Sequence, residues 1–338
     1  MSSVLEPVRF DRDVSVRTFL RPLQGFLNCP AVTEIAIVRP KQLYTREHGQ
    51  WFLHECQLLS LEHLQALTNA LTVYNGLAAS PLVSVLLPDG ERGQIVQPPA
   101  TLDGAIAINI RKHMQVTKTL DELDADGAFE QSSTTQHAYG TDGLTQQQRR
   151  LKALLQAGQI RQFLAAAVKG RCNIVISGAT GSGKTTFARS LIEEVATDER
   201  LITIEDVHEL QLAGHHNVVH MMYGGMRGRI SATECIAACM RLSPDRIFLA
   251  ELRGSEAWEY LTALNTGHPG SITTTHANSA LDAFNRLAML IKQSPTGGQL
   301  DLASIEQFLQ HTIDVVVHFE RFQLREIHFT PTPLRNQT

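Results

Sequence analysis

Cysteine is scarce and unpatterned. The five residues Cys29, Cys56, Cys172, Cys235 and Cys239 include no C-x-x-C pair. This excludes a zinc ribbon and a disulfide framework, and predicts free thiols in a reducing compartment. Cys235 and Cys239 lie one helical turn apart and read as buried positions on a helix face. Aromatic residues are only 6% of the chain, and there is no basic surplus, the net charge being −4. Direct nucleic-acid binding is therefore not supported, because it calls for a basic, aromatic-lined surface. No stretch approaches the roughly 20 apolar residues of a transmembrane helix. Residues 1–12 are charged and lack the apolar core of a signal peptide. A cytoplasmic protein with no transmembrane segment is expected.

What is present is 338 residues, 43% of them hydrophobic, enough for two domains with separate cores. Val16, Phe19, Leu20, Leu23, Phe26 and Leu27 have the spacing of one amphipathic helix. Strand-like runs follow at 34–38, 43–46 and 50–54, with His48-Gly49 as a turn. Leu61, Leu64, Leu67 and Leu71 mark a second helix, and further strands are expected at 82–86, 94–96 and 106–110. Residues 1–114 thus read as a small α+β domain. Apolar patterning fades between Thr117 and Thr145, so 115–150 reads as a solvated linker. From Leu151 strands and helices alternate as far as a helix at 281–292. Residues 151–338 are therefore expected to form an α/β domain around a largely parallel sheet.

The segment Gly178-Ala179-Thr180-Gly181-Ser182-Gly183-Lys184-Thr185 fits the phosphate-loop pattern G-x-x-x-x-G-K-[ST] and sits between an apolar strand and a helix. Its glycines let backbone N–H groups turn toward phosphate, and the following helix, opening with Lys184, Thr185 and Thr186, presents its positive end. Lys184 supplies a charge to the β/γ-phosphates of ATP, and the Thr185 hydroxyl a ligand to Mg²⁺. The strand at 246–250 ends in Glu251, at the sheet edge where such folds bind ligands. Glu251 is the candidate for polarising the attacking water and joining the Mg²⁺ shell. A second apolar strand ends in Glu205, Asp206 and Glu209, which could serve the metal or the water or simply face solvent. His276 follows the strand at 271–275 and, taken alone, reads as a structural histidine.

Taken in order, the phosphate loop, the acidic box, strand-Glu251-x-Arg253, and Gly267-His268-Pro269-Gly270 followed by Thr275-His276-Ala277 resemble the secretion ATPase superfamily. The run from Arg241 to Arg253 is most similar to the VirB-eleven-like traffic ATPases of type IV secretion. Val32-Thr33-Glu34-Ile35, the stretch 90–99 and Ile108-Asn109-Ile110-Arg111 resemble that branch's N-terminal domain. The resemblance implies a RecA-like α/β P-loop domain with a smaller N-terminal α+β domain. It also implies a homo-hexameric, ATP-hydrolysing motor at the cytoplasmic face of the inner membrane, partnered by inner-membrane components of a secretion channel. Glu251 would be the base, with Glu205 and Glu209 supporting water and metal and Asp206 a metal ligand. His276 would sense the γ-phosphate. Arg92 and Arg111 would reach nucleotide from the N-terminal domain, and Arg241 and Arg253 would sense charge. Ala250 stands where the family usually has glycine. A type II secretion or pilus ATPase is the alternative within the superfamily, and a nucleic-acid translocase the alternative outside it.

Overall fold

The structure, a computed structural model, describes residues 13–112, 117–136, 143–224 and 229–331. The reading of residues 1–12 lies outside them. The first apolar stripe folds as two helices, α1 (Val14–Leu20) and α2 (Gln24–Asn28), flanking a 3-10 turn at Arg21–Leu23. Pro22 has no N–H to donate backward, and its ring crowds the preceding turn. The stripe itself survives the break, because Val16, Leu20, Leu23 and Leu27 are all buried.

Strands β1 (Val32–Arg39), β2 (Gln42–Glu47) and β3 (Gln50–Glu55) form a meander, the β2–β3 turn using His48 and Gly49 at positive φ. Helix α3 (Leu61–Tyr74) follows, its first turn capped by the Ser60 hydroxyl accepting from His63 N–H at 3.1 Å. Then come β4 (Leu82–Leu86), β5 (Arg92–Val96) and β6 (Ala107–Arg111). The six strands pair antiparallel in the order β3-β2-β1-β6-β5-β4, and their apolar face packs with Leu64, Leu67 and Leu71 of α3.

A second compact unit begins after residue 115. Its elements are α4 (Leu120–Ala125), β7 (Ser133–Gln136), α5 (Gln146–Gln156), α6 (Ile160–Lys169), β8 (Ile174–Ser177) and α7 (Lys184–Ile192). They continue with β9 (Leu201–Glu205), β10 (Val218–Met222), α8 (Ala232–Cys239), β11 (Arg246–Leu249) and α9 (Glu256–Asn265). The unit closes with β12 (Ile272–Thr275), α10 (Ala280–Ile291), α11 (Leu302–Thr312), β13 (Val315–Glu320) and β14 (Gln323–Phe329). Strands pair as β10-β9-β11 and as β12-β8-β13-β14-β7, all parallel except β13 with β14. The two groups meet where Leu252 N–H, just past β11, donates to Thr274 O of β12 at 2.8 Å.

Alternate residues of each strand feed opposite cores. Ile174 and Ile176 pack with Phe163, Phe187 and Leu191 on one face, while Val175 packs with Leu261, Leu287 and Ile291 on the other. Helices therefore cover both faces, as a parallel sheet requires. Ser231 and Glu234 form the capping box that opens α8. Cys235 and Cys239 lie in the core beneath it, and burial pushes the Cys239 thiol up to about 12. In the stretch 115–150, expected as a linker, Leu120, Leu123 and Phe129 are buried in the second unit's core. No described helix is long and apolar enough to cross a membrane.

Asp314, just before β13, accepts from Asn173 N–H at 2.7 Å, yet burial pushes its carboxyl up to about 6. An unfolded aspartate ionises near 3.8. As pH rises from there the unfolded chain loses this proton first, so the stability present below pH 3.8 is lost through pH 6. Asparagine keeps an acceptor without the charge. Asp314→Asn is expected to match the wild type near pH 4 and to exceed it by about 1–3 kcal/mol at pH 7.5 in urea unfolding. A variant less stable at both pH values would contradict this.

Candidate active site

The phosphate loop leaves the buried strand β8 and enters α7 with the left-handed Gly183 (φ 101°) as its N-cap. A Cβ on Gly183 would stand 2.7 Å from the Phe322 ring, and one on Gly178 2.2 Å from Phe319 O. The loop is thus walled by the β13–β14 hairpin, whose Phe322 N–H donates to Ser182 O at 2.9 Å. Ala179, Thr180 and Gly181 are exposed at its crown, while Thr185 and Thr186 are half-buried in the first turn of α7.

Lys184 is buried, and its ammonium donates to Gly178 O and Ala179 O, each at 2.8 Å. The same nitrogen lies 3.3 Å from His276 Nδ1. His276 Nε2 is 2.7 Å from Glu251 Oε1. Glu251 Oε2 accepts from Arg253 at 2.6 and 2.9 Å, and Arg253 also donates to Asp206 Oδ2 at 2.7 Å. A continuous polar chain therefore runs Lys184–His276–Glu251–Arg253–Asp206. It exists because β8, β11, β12 and β9 all point their carboxyl ends the same way.

Glu205 is fully buried, and its Oε2 accepts from the N–H groups of Glu209 and Leu210, both at 2.7 Å. Burial alone would raise its carboxyl. Hydrogen bonds from His220, Leu210, Thr203 and Glu209 outweigh that and hold it below the usual range. Glu209 and Glu205 act electrostatically on Arg189 of α7, whose ionisation burial lowers. Arg241 is exposed in the turn after α8, ahead of the amino end of β11, whereas Glu251 follows that strand's carboxyl end. Arg92 and Arg111 belong to the first unit, where they sit directly opposite each other on β5 and β6.

The chain matches the family described as Type II/IV secretion system protein over residues 145–320. It is 38% identical over 315 residues to the Type IV secretion system protein VirB11 of Brucella suis, covering 91% of this chain and 86% of that protein. The chain belongs to the VirB11-like secretion ATPases. It is also 38% identical to the type IV secretion system protein PtlH of Bordetella pertussis, with 92% of each chain covered. The crystal structure of the Brucella suis VirB11 ATPase in complex with sulphate matches with a TM-score of 0.53 at 37% identity, covering 95% of this chain and 96% of that one. The RecA-like α/β unit with its smaller N-terminal α+β unit agrees with that kinship.

Three residues at the phosphate loop of this VirB11-like ATPase carry no motif. His318 Nδ1 lies 3.0 Å from the Ser177 hydroxyl at the root of the loop, and Phe319 and Phe322 form its wall. They come from a hairpin about 140 residues downstream, and only the strand order reveals them.

Proposed function

We propose that the chain is a Mg²⁺-dependent ATP-hydrolysing motor that works as a homo-hexameric ring. It would power substrate transfer or pilus biogenesis from the cytoplasmic face of the inner membrane, docked on membrane components of a type IV secretion channel. The observation that carries the catalytic reading is the polar chain from Lys184 to Asp206. Among the acids of the two strand ends, Glu251 is the one that contacts His276, and through it the phosphate loop.

The residues present fit a nucleoside triphosphate. The glycine cradle is closed on its outer side, and the buried Ser182 hydroxyl has no hydrogen-bond partner among the described residues. Thr185, Glu251 and Asp206 would hold Mg²⁺, which when bound supplies neutralising charge to the phosphates. Lys184 holds the β/γ-phosphates. Glu251 orients the water and takes its proton, positioned by Arg253. His276 bridges base and lysine, and so reads occupancy at the γ-phosphate. Glu205 and Glu209 shape the acidic loop that carries Asp206.

Arg241 lies at the far end of β11 from Glu251, so its use in catalysis would come from a neighbouring subunit. Closed cyclic assembly provides such head-to-tail contacts. Arg92 and Arg111 would meet nucleotide from the N-terminal unit. The expected result is a turnover per subunit that rises with protein concentration in step with ring mass by light scattering. A fully active monomer would sink the ring. Mixing Lys184→Ala with Arg241→Ala subunits is expected to restore turnover. No recovery would remove the trans role of Arg241.

A further inference from the structure

We propose that Glu205, His208 and His220 form a binding site for a zinc-like divalent transition metal. Its ligands are not the residues proposed above to hold Mg²⁺, although Glu205 directly precedes one of them, Asp206.

The three side chains come from different pieces of structure. Glu205 ends β9, His208 lies in the loop that follows, and His220 is on β10, in register with Thr203 of β9. Their candidate ligand atoms all lie within 4.8 Å of one another. Glu205 Oε1 is 3.2 Å from His208 Nδ1 and 3.7 Å from His220 Nδ1. Ligands about 2.0–2.1 Å from a tetrahedral zinc stand about 3.3 Å from each other, so the set, now spread over up to 4.8 Å, draws in around one ion as His220 Nδ1 leaves the Thr203 hydroxyl, 2.8 Å away.

The carboxylate is already aimed. Its Oε2 is fixed by two backbone N–H groups, and Thr203 donates to Oε1 at 2.8 Å. Those hydrogen bonds hold the buried carboxyl in its charged form, which is the form that ligates a cation. The two imidazoles are packed edge to face with centroids 4.4 Å apart. Their side chains are 43% and 33% exposed, which leaves an entry path and room for a water as fourth ligand. Both rings can move their proton to the outer nitrogen and ligate through Nδ1. Two imidazoles and one carboxylate suit Zn²⁺, whereas Mg²⁺ prefers an all-oxygen shell. The site is therefore chemically distinct from that of a Mg-nucleotide.

Its position gives it leverage. Asp206, the residue after Glu205, pairs with Arg253, which in turn holds Glu251. An ion at this site ties the start of the acidic loop to β10.

The test is zinc chloride titrated calorimetrically into the untagged full chain, without nucleotide and with excess Mg²⁺ present. Glu205→Gln removes the carboxylate on which the loop is folded, so the histidine variants decide. One equivalent of Zn²⁺ should bind, and His208→Ala and His220→Ala should each weaken it at least about tenfold. His311→Ala, on α11 and outside the ligand set, should not. Cobalt(II) should show the intense visible bands of a four-coordinate site in the wild type and His311→Ala, and in neither His208→Ala nor His220→Ala. Wild-type chain without stoichiometric zinc, or unchanged affinity in both histidine variants, overturns the proposal. Loss in only one of them overturns the three-ligand assignment.

Discussion

Lys184→Ala is expected to reduce ATP turnover by at least about a hundredfold, the scale seen when one fixed donor to transition-state charge is removed. Lys184 is buried, and its ammonium is held by two loop carbonyls within reach of His276. Alanine removes the cation that would face the phosphates and leaves those two carbonyls without their lysine donor. Nucleotide binding should weaken too, which fluorescent-nucleotide titration would measure. Circular dichroism and thermal unfolding guard against the trivial explanation of misfolding. Retention of more than about a tenth of wild-type turnover would reject this loop as the engine.

Glu251→Gln is expected to separate binding from chemistry. Glutamine preserves the shape but cannot accept a proton, a loss of about 10²–10⁴ in rate for a general base. ATP affinity should stay within a few-fold of wild type, because the glycine cradle and Lys184 are untouched. Glu205→Gln should behave differently. Its fully buried carboxylate holds the N–H groups of Glu209 and Leu210, so the variant should lose melting temperature along with activity. If instead Glu205→Gln binds ATP normally, melts normally and fails to cleave, the base belongs to the acidic loop and not to Glu251. Single-turnover hydrolysis beside equilibrium binding distinguishes the two outcomes.

The phosphate loop could be read from the sequence because phosphate binding is a local problem. Eight consecutive residues supply the glycines, the lysine and the hydroxyl. Glu251 and His276 were legible as residues closing apolar strands, a pattern that parallel-sheet geometry turns into proximity. Their contact with each other was not, since it depends on β11 lying beside β12. The hairpin that walls the loop was hidden for a different reason. Its turn uses Arg321 and Phe322 at positive φ, where glycine or asparagine would have announced it. The break between α1 and α2 was legible in principle from Pro22, which the apolar spacing masked. The two roles of an acidic residue cannot be told apart by spacing either. Glu205 and Glu251 both end apolar strands, yet one is enclosed by backbone N–H groups and the other sits between a histidine and an arginine.

The polar run that made residues 131–136 look like solvated linker has another consequence. Strand β7 pairs in parallel with β14 and ends the order of the five-stranded sheet, and its Ser133, Thr134 and Thr135 are exposed. A strand in that place offers unpaired backbone groups to any passing chain, and a hydroxyl-rich surface makes it a poor template for aggregation. The strands inward of it are the opposite, with Val315, Val316 and Val317 in β13 and Ile327 and Phe329 in β14 all buried. A fragment cut to the family match at 145–320 would lack both β7 and β14. It would present the valine-rich β13 as a naked border and lose one wall of its phosphate loop. The ATPase unit therefore folds beyond its motif boundaries on both sides, and fragments limited to 145–320 should precipitate where those running from before α4 through β14 stay in solution.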